Sequence, residues 1–133
     1  MSVTLHPYIN FRGTCQEAME FYRSVLGGDL QVMSFADSGM PEMQGVMHSM
    51  LTTADGLVLL ASDTPDEMPL TFGDNMSVSL VGDESEAEKM RGWFQGLAQG
   101  GEVTVPLAQQ MWGAEFGMIT DRFGVRWMVN IGG

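Results

Sequence analysis

Few side chains in this sequence can do chemistry. There are two histidines, His6 and His48, one cysteine, Cys15, and thirteen methionines, set against seventeen carboxylates. Disulfide frameworks and thiolate metal clusters need several cysteines, so a single one excludes both and makes a reducing compartment, the cytoplasm, the expected setting. Cys15 falls on an apolar helical stripe and reads as a packing residue rather than a nucleophile. The thioethers, Met40, Met43, Met47 and Met50 among them, match a soft Cu(I) site less well than they match the lining of a core or an adaptable pocket. Trp112, Phe116 and Trp127 offer flat surfaces to a planar ligand. Trp127 lies in an apolar strand row and reads as core, which leaves Trp112 as the expected ligand contact. No Gly-x-Gly turn joins a strand to a helix, so no nucleotide-like cofactor is expected.

The frame holding these residues is small. At 133 residues the chain has room for one compact domain. Six basic residues scattered among seventeen acidic ones give a net charge of −11, which excludes a phosphate-neutralising surface for nucleic acid or an anionic membrane. Hydrophobic residues at 44% and charged residues at 17% are those of a globular chain. The first basic residue is Arg12, and Met1-Ser2-Val3-Thr4 does not open a secretory signal. The longest apolar run, Leu57 to Ala61, is far short of the roughly 20 residues that span a bilayer.

Two segments carry helical periodicity. Cys15, Ala18, Met19, Tyr22, Val25 and Leu26 form one stripe, with Thr14 and Glu17 as a capping box and Gly27-Gly28 as the stop. Ala87, Met90, Phe94, Leu97 and Ala98 form the other, after Asp83 and Glu86 and before Gly100-Gly101. A strand-like run precedes each helix, Val3 to Phe11 and Met76 to Val81, and three follow it. These are Leu30 to Phe35, Val46 to Thr53 and Leu57 to Ser62, then Val103 to Leu107, Phe116 to Thr120 and Val125 to Ile131. The last two of each set are joined by tight turns, Ala54-Asp55-Gly56 and Asp121-Arg122-Phe123-Gly124. The chain therefore reads as βαβββ twice, over about 1–66 and 74–133, an α+β fold.

Each unit covers one sheet face with its helix and leaves the other bare. Alternation assigns Val125, Trp127, Val129 and Ile131 to the covered face and Arg126, Met128 and Asn130 to the bare one. The same split sets His6, Tyr8 and Asn10 against Leu5, Ile9 and Phe11, and Ser77 and Ser79 against Met76, Val78 and Leu80. The bare faces are expected to line a cup that takes a small molecule. The stretch Ala36 to Gly45, rich in glycine, proline and methionine, reads as a surface connection or a lid.

Two βαβββ units in this length resemble the vicinal oxygen chelate superfamily of glyoxalases, bleomycin-resistance proteins and extradiol dioxygenases. Pro7-Tyr8-Ile9-Asn10-Phe11, Glu17-Ala18-Met19-Glu20-Phe21-Tyr22, Ser62-Asp63 and Thr120 to Asn130 resemble its PhnB-like branch. The resemblance implies a cup-shaped mixed sheet, a homodimer and a site inside the cup. It also implies metal ligands on the first, fourth, fifth and eighth strands, but those positions fall on His6, Leu60, Ser77 (or Met76) and Met128. One candidate in four cannot hold a hard divalent ion, so the usual metal site is expected to be absent. The branch pattern instead matches His48 on the third strand and Ser62-Asp63 after the fourth. A histidine with a carboxylate suits acid/base work or a displaced divalent metal site, with His6 as a further ligand, for a lyase or dioxygenase-type reaction. Against it stands a structural role for both, with Asp63 capping the turn before Pro65. Relatives are sometimes labelled ubiquinone-pathway methyltransferases, a label that the missing Gly-x-Gly turn does not support. The cup-lining set expected from these readings is His6, Tyr8, Asn10, His48, Asp63, Ser77, Trp112, Met128 and Asn130.

Overall fold

The computed structural model describes residues 2–133, which divide into two compact units, one ending at Thr71 and the other running from Phe72 to Gly133. In the N-terminal unit, β1 (Tyr8–Phe11) and α1 (Cys15–Leu26) are followed by β2 (Asp29–Ser34), β3 (Val46–Thr52) and β4 (Val58–Asp63). The sheet order is β1-β4-β3-β2, with β1 parallel to β4 and the other pairs antiparallel. In the C-terminal unit, β5 (Val78–Gly82), a 3₁₀ turn at Glu84–Glu86 and α2 (Ala87–Leu97) lead to β6 (Glu102–Gln109), β7 (Glu115–Thr120) and β8 (Arg126–Ile131). Its order is β5-β8-β7-β6, the same topology again. The α+β fold of two βαβββ modules is the one read from the sequence.

Each helix buries most of the stripe that its periodicity marks, with Val25 and Ala98 only half-buried and Trp93 joining the second stripe. Cys15, Ala18, Met19, Tyr22 and Leu26 of α1 are buried with Phe11, Leu51, Leu59 and Ala61 of the first sheet. In the second unit Ala87, Met90, Trp93, Phe94 and Leu97 of α2 are buried, as are Leu80, Ile119, Trp127, Val129 and Ile131. The modules also match in detail. In both final hairpins a side chain at the turn's first position accepts the backbone N–H four residues on. Thr53 Oγ1 takes Leu57 N at 3.2 Å, and Asp121 Oδ1 takes Val125 N at 3.0 Å. The other Asp121 oxygen takes the indole N–H of Trp127 at 2.9 Å, satisfying the one polar atom of a buried ring. Gly28 and Gly101, just past each helix, are pressed against the Thr52 and Thr120 carbonyls, where a Cβ would collide.

Several details differ from expectation, and β6, expected over Val103 to Leu107, runs on to Gln109. β1 starts at Tyr8 rather than Val3, since Pro7 has no N–H to give a ladder, and Val3 and Leu5 are both 97% exposed. β5 starts at Val78, leaving Met76 and Ser77 outside it. Thr14 makes no side-chain cap; the N-terminus of α1 is capped from across the unit by Asp63, as described next.

Candidate functional site

In the N-terminal unit, α1 covers one face of the sheet, and register defines the other. Tyr8 pairs with Leu60 and Leu60 with Met50, so these three share a face, and His48 joins them two residues from Met50. The Tyr8 and His48 rings are 6.0 Å apart between centroids and tilted by 34°. Asn10 pairs with Ser62 on the same face, with Ser62 Oγ 3.5 Å from Asn10 Oδ1. Met33 stands opposite His48 on β2. Two rings, an amide, a hydroxyl and apolar neighbours thus form a surface that can stack on a flat compound and hydrogen-bond its edge. His6 precedes β1 and is half-buried.

Asp63 does not belong to this surface, which corrects the expectation that it lines the bare face. Its register partner is the buried Phe11, so it points to the helix side, and it is only 6% exposed. Asp63 Oδ1 accepts the N–H groups of Gly13 at 2.8 Å and Cys15 at 3.0 Å, and Oδ2 accepts that of Val46 at 2.9 Å. Both oxygens are committed to backbone donors, two of them at the start of α1. Gly45 permits this approach, having φ of +100° and lying where a Cβ would meet Asp63 Oδ2. His48 and Asp63 are therefore on opposite faces of one sheet, and the pair suggested for acid/base or metal chemistry is not assembled. Among the described residues no three His, Cys, Asp or Glu side chains are grouped to hold a metal ion.

The stretch from Ala36 to Gly45 is tied to itself: Phe35 N bonds Gly45 O at 3.1 Å, Met40 N bonds Phe35 O at 3.0 Å, and the Phe35 side chain is buried. With residues 63–67 it borders a cleft of about 520 Å³ with Gly13 and Asp63 in its wall and Glu42, Asp66 and Glu67 on its rim. The Arg12 guanidinium fixes the other border by donating to the carbonyls of Pro65 at 2.7 Å and Met68 at 2.8 Å.

The second unit repeats the arrangement. Ser79 pairs with Met128 and Met128 with Met118; Asn130 pairs with Phe116 and Arg126 with Thr120, all on the face away from α2. Trp112, 65% exposed in the β6–β7 turn, sets its ring 6.4 Å from that of Phe116 and so adjoins this face near Asn130. The Asn130 Oδ1 atom is buried without a hydrogen-bond partner among the described residues. Ser77 lies before β5, half-buried. Tyr8, Asn10 and His48 are thus brought together in one unit, and Trp112, Met128 and Asn130 on one face of the other. Met50, Leu60, Ser62, Phe116, Met118 and Arg126 share these faces and lie outside the expected cup-lining set. Strand alternation, extended from Tyr8 and Met128 through the register, is the signal that finds them.

Comparison with known families matches residues 4–129 to the glyoxalase/bleomycin resistance protein/dioxygenase superfamily. The chain belongs to this superfamily. Protein YjdN of Escherichia coli (strain K12) is 29% identical, over 96% of this chain and 94% of its own. The crystal structure of PA1353 from Pseudomonas aeruginosa superposes with a TM-score of 0.86 at 40% identity, covering 98% of each chain. A Bacillus cereus PhnB protein, described as a putative 3-demethylubiquinone-9 3-methyltransferase, gives 0.76 at 26% identity over 97% of this chain and 99% of its own. The Bacillus cereus neighbour agrees with the PhnB-like resemblance. The ligand positions implied by the superfamily can now be tested by their donors. Leu60 and Met128 do lie on the two uncovered faces, but an aliphatic chain and a thioether offer a hard divalent ion nothing. Ser77 is a neutral hydroxyl, and the one remaining donor, His6, is not part of a grouped set. The residues present do not fit the superfamily's usual metal set.

Proposed function

We propose that this superfamily member binds an apolar, planar small molecule on its uncovered sheet faces, without the superfamily's four-ligand metal set. The observation that supports it best is the Tyr8–His48 ring pair beside Asn10 and Ser62. Rings provide stacking area, and the amide and hydroxyl select orientation at the ligand's edge. Trp112 and Phe116 provide the corresponding area in the second unit. The working form is a homodimer in the cytoplasm.

The test is a thermal-shift screen of aromatic compounds run in the presence of EDTA. Stabilising compounds are expected, with shifts reduced in Tyr8→Ala, His48→Ala or Trp112→Ala. A screen without hits, or hits indifferent to all three substitutions, would overturn the reading. The competing reading is a metal-dependent lyase or dioxygenase-type enzyme using His48 and Asp63. It requires a sheet-separated pair to act together while Asp63 is held by three backbone donors. Elemental analysis after incubation with Zn, Ni, Mn and Fe separates the two, because stoichiometric metal that is lost in His48→Ala would favour the enzyme.

A further inference from the structure

Of the six basic side chains, five are exposed, and only Arg126 is half-buried. The commitments of most are plain. Arg12 holds backbone carbonyls, Lys89 pairs with Glu86 at 2.7 Å, Arg91 grips Glu115 through two nitrogens, and Arg122 lies over the Phe123 ring. Arg23 sits in the last turn of α1, where a cation meets the negative end of the helix. The Arg126 side chain makes no hydrogen bond or ion pair among the described residues. Its strand neighbour on the uncovered face is Thr120. Glu102 is the next residue in that row, beyond Thr120, about 10 Å from Arg126 in strand spacings. Half-buried on the uncovered face and unpaired among the described residues, the Arg126 side chain keeps its planar fork of donors available to an anion arriving from outside, in a chain that carries seventeen carboxylates of its own.

We infer that Arg126 anchors an anionic group of the ligand, namely the carboxylate of an aromatic or otherwise apolar acid. This rests on the binding reading above and names its ligand class. The planar fork of a guanidinium matches a carboxylate with two parallel N–H donors, and the Thr120 hydroxyl beside it can give a third. Next along the strand come Met128 and Met118, then Asn130 with Phe116, and Trp112 beyond. From Arg126 to Asn130 is four residues of strand, about 13 Å, which spans a carboxylate and a fused aromatic body. The charge arrangement favours specificity as well as affinity. A neutral compound offers the guanidinium no carboxylate to grip, so the face favours the acid over it.

The experiment compares 2-naphthoate with 2-naphthamide, which share a ring system and differ in charge, by isothermal titration of the full chain. The acid is expected to bind roughly tenfold or more tightly than the amide, because hydrogen bonds between ionised partners are stronger than those to a neutral amide. In Arg126→Gln that preference should vanish through loss of affinity for the acid, and Arg126→Lys should keep part of it. Equal affinities in the unsubstituted protein, or a preference that survives Arg126→Gln, would overturn the inference and leave the binding reading standing. If neither compound binds, both fail for aromatic ligands. Loss of amide binding in Arg126→Gln together with a lowered melting temperature would assign Arg126 a structural role instead.

Discussion

Asp63 ties three segments of the N-terminal unit together, the end of β4, the start of α1 and the start of β3, through its bonds to Cys15, Gly13 and Val46. Asp63→Ala leaves those donors without an acceptor and should cost about 2–4 kcal/mol in urea unfolding. Asp63→Asn keeps one carbonyl oxygen and should cost less, and neither change should reduce the ligand-induced thermal shifts that His48→Ala is expected to reduce. Cys15 is the second buried group of note. Burial, the largest cause, and the nearby Asp63 push its thiol up to about 11, against a smaller opposing effect of the Ser49 hydroxyl 3.5 Å away. In the unfolded chain the thiol ionises near 9.0. Its contribution is therefore fully present below pH 9, and stability falls as pH rises from there through about 11. Denaturation midpoints measured from pH 8 to 11 should show that decline, and Cys15→Ala should flatten it. The identity of these residues was readable from the sequence, but their roles were not, because a carboxylate's partners here are backbone donors about fifty and seventeen positions away.

The helices were legible as elements because their signals are local: a stripe at the helical period and glycines at the ends. Gly28 and Gly101 have a second duty that periodicity does not show, the close approach to the Thr52 and Thr120 carbonyls. Alanine at either position should destabilise the fold by about 1–3 kcal/mol, with Gly28→Ala the more costly because its φ of +101° adds backbone strain to the collision. Chemical denaturation of the two single variants checks the ranking. The strand ends were less legible, for an apolar–polar alternation continues wherever the residues allow, whereas a strand continues only while a partner is present. Val3 to Pro7 alternate well enough, but the ladder between β1 and β4 begins at Tyr8 and Leu60. The capping box at Thr14 failed for a related reason. A distant carboxylate reached the helix N-terminus, so the local hydroxyl was not needed.

For the molecule as a whole, the charge of −11 is carried outside: of the seventeen carboxylates only Asp63 and Asp121 are buried. No helix among the described residues is long and apolar enough to cross a membrane. Val3, Leu5, Met76 and Met111, with exposures of 97%, 97%, 78% and 97%, are among the exposed apolar groups that a second copy would shield in the proposed homodimer. Light scattering on the purified protein should give twice the 14.5 kDa chain mass, and a single-chain mass at micromolar concentration would remove the homodimer from the reading. The sequence alone determined the number and order of the two α-helices and eight strands and their repetition, because period, glycine placement and turn chemistry act over a few residues. It also determined which side chains of β8 share a face, because alternation within one strand is a fixed geometric consequence of the backbone. Only the tertiary structure decided which faces the candidates on different strands occupy. His48 and Asp63 lie on neighbouring strands, yet the register of β3, β4 and β1 places them on opposite sides of the sheet. A shift of one residue would have reversed one of them, and that register is set by packing against α1 rather than by either residue's own surroundings in sequence.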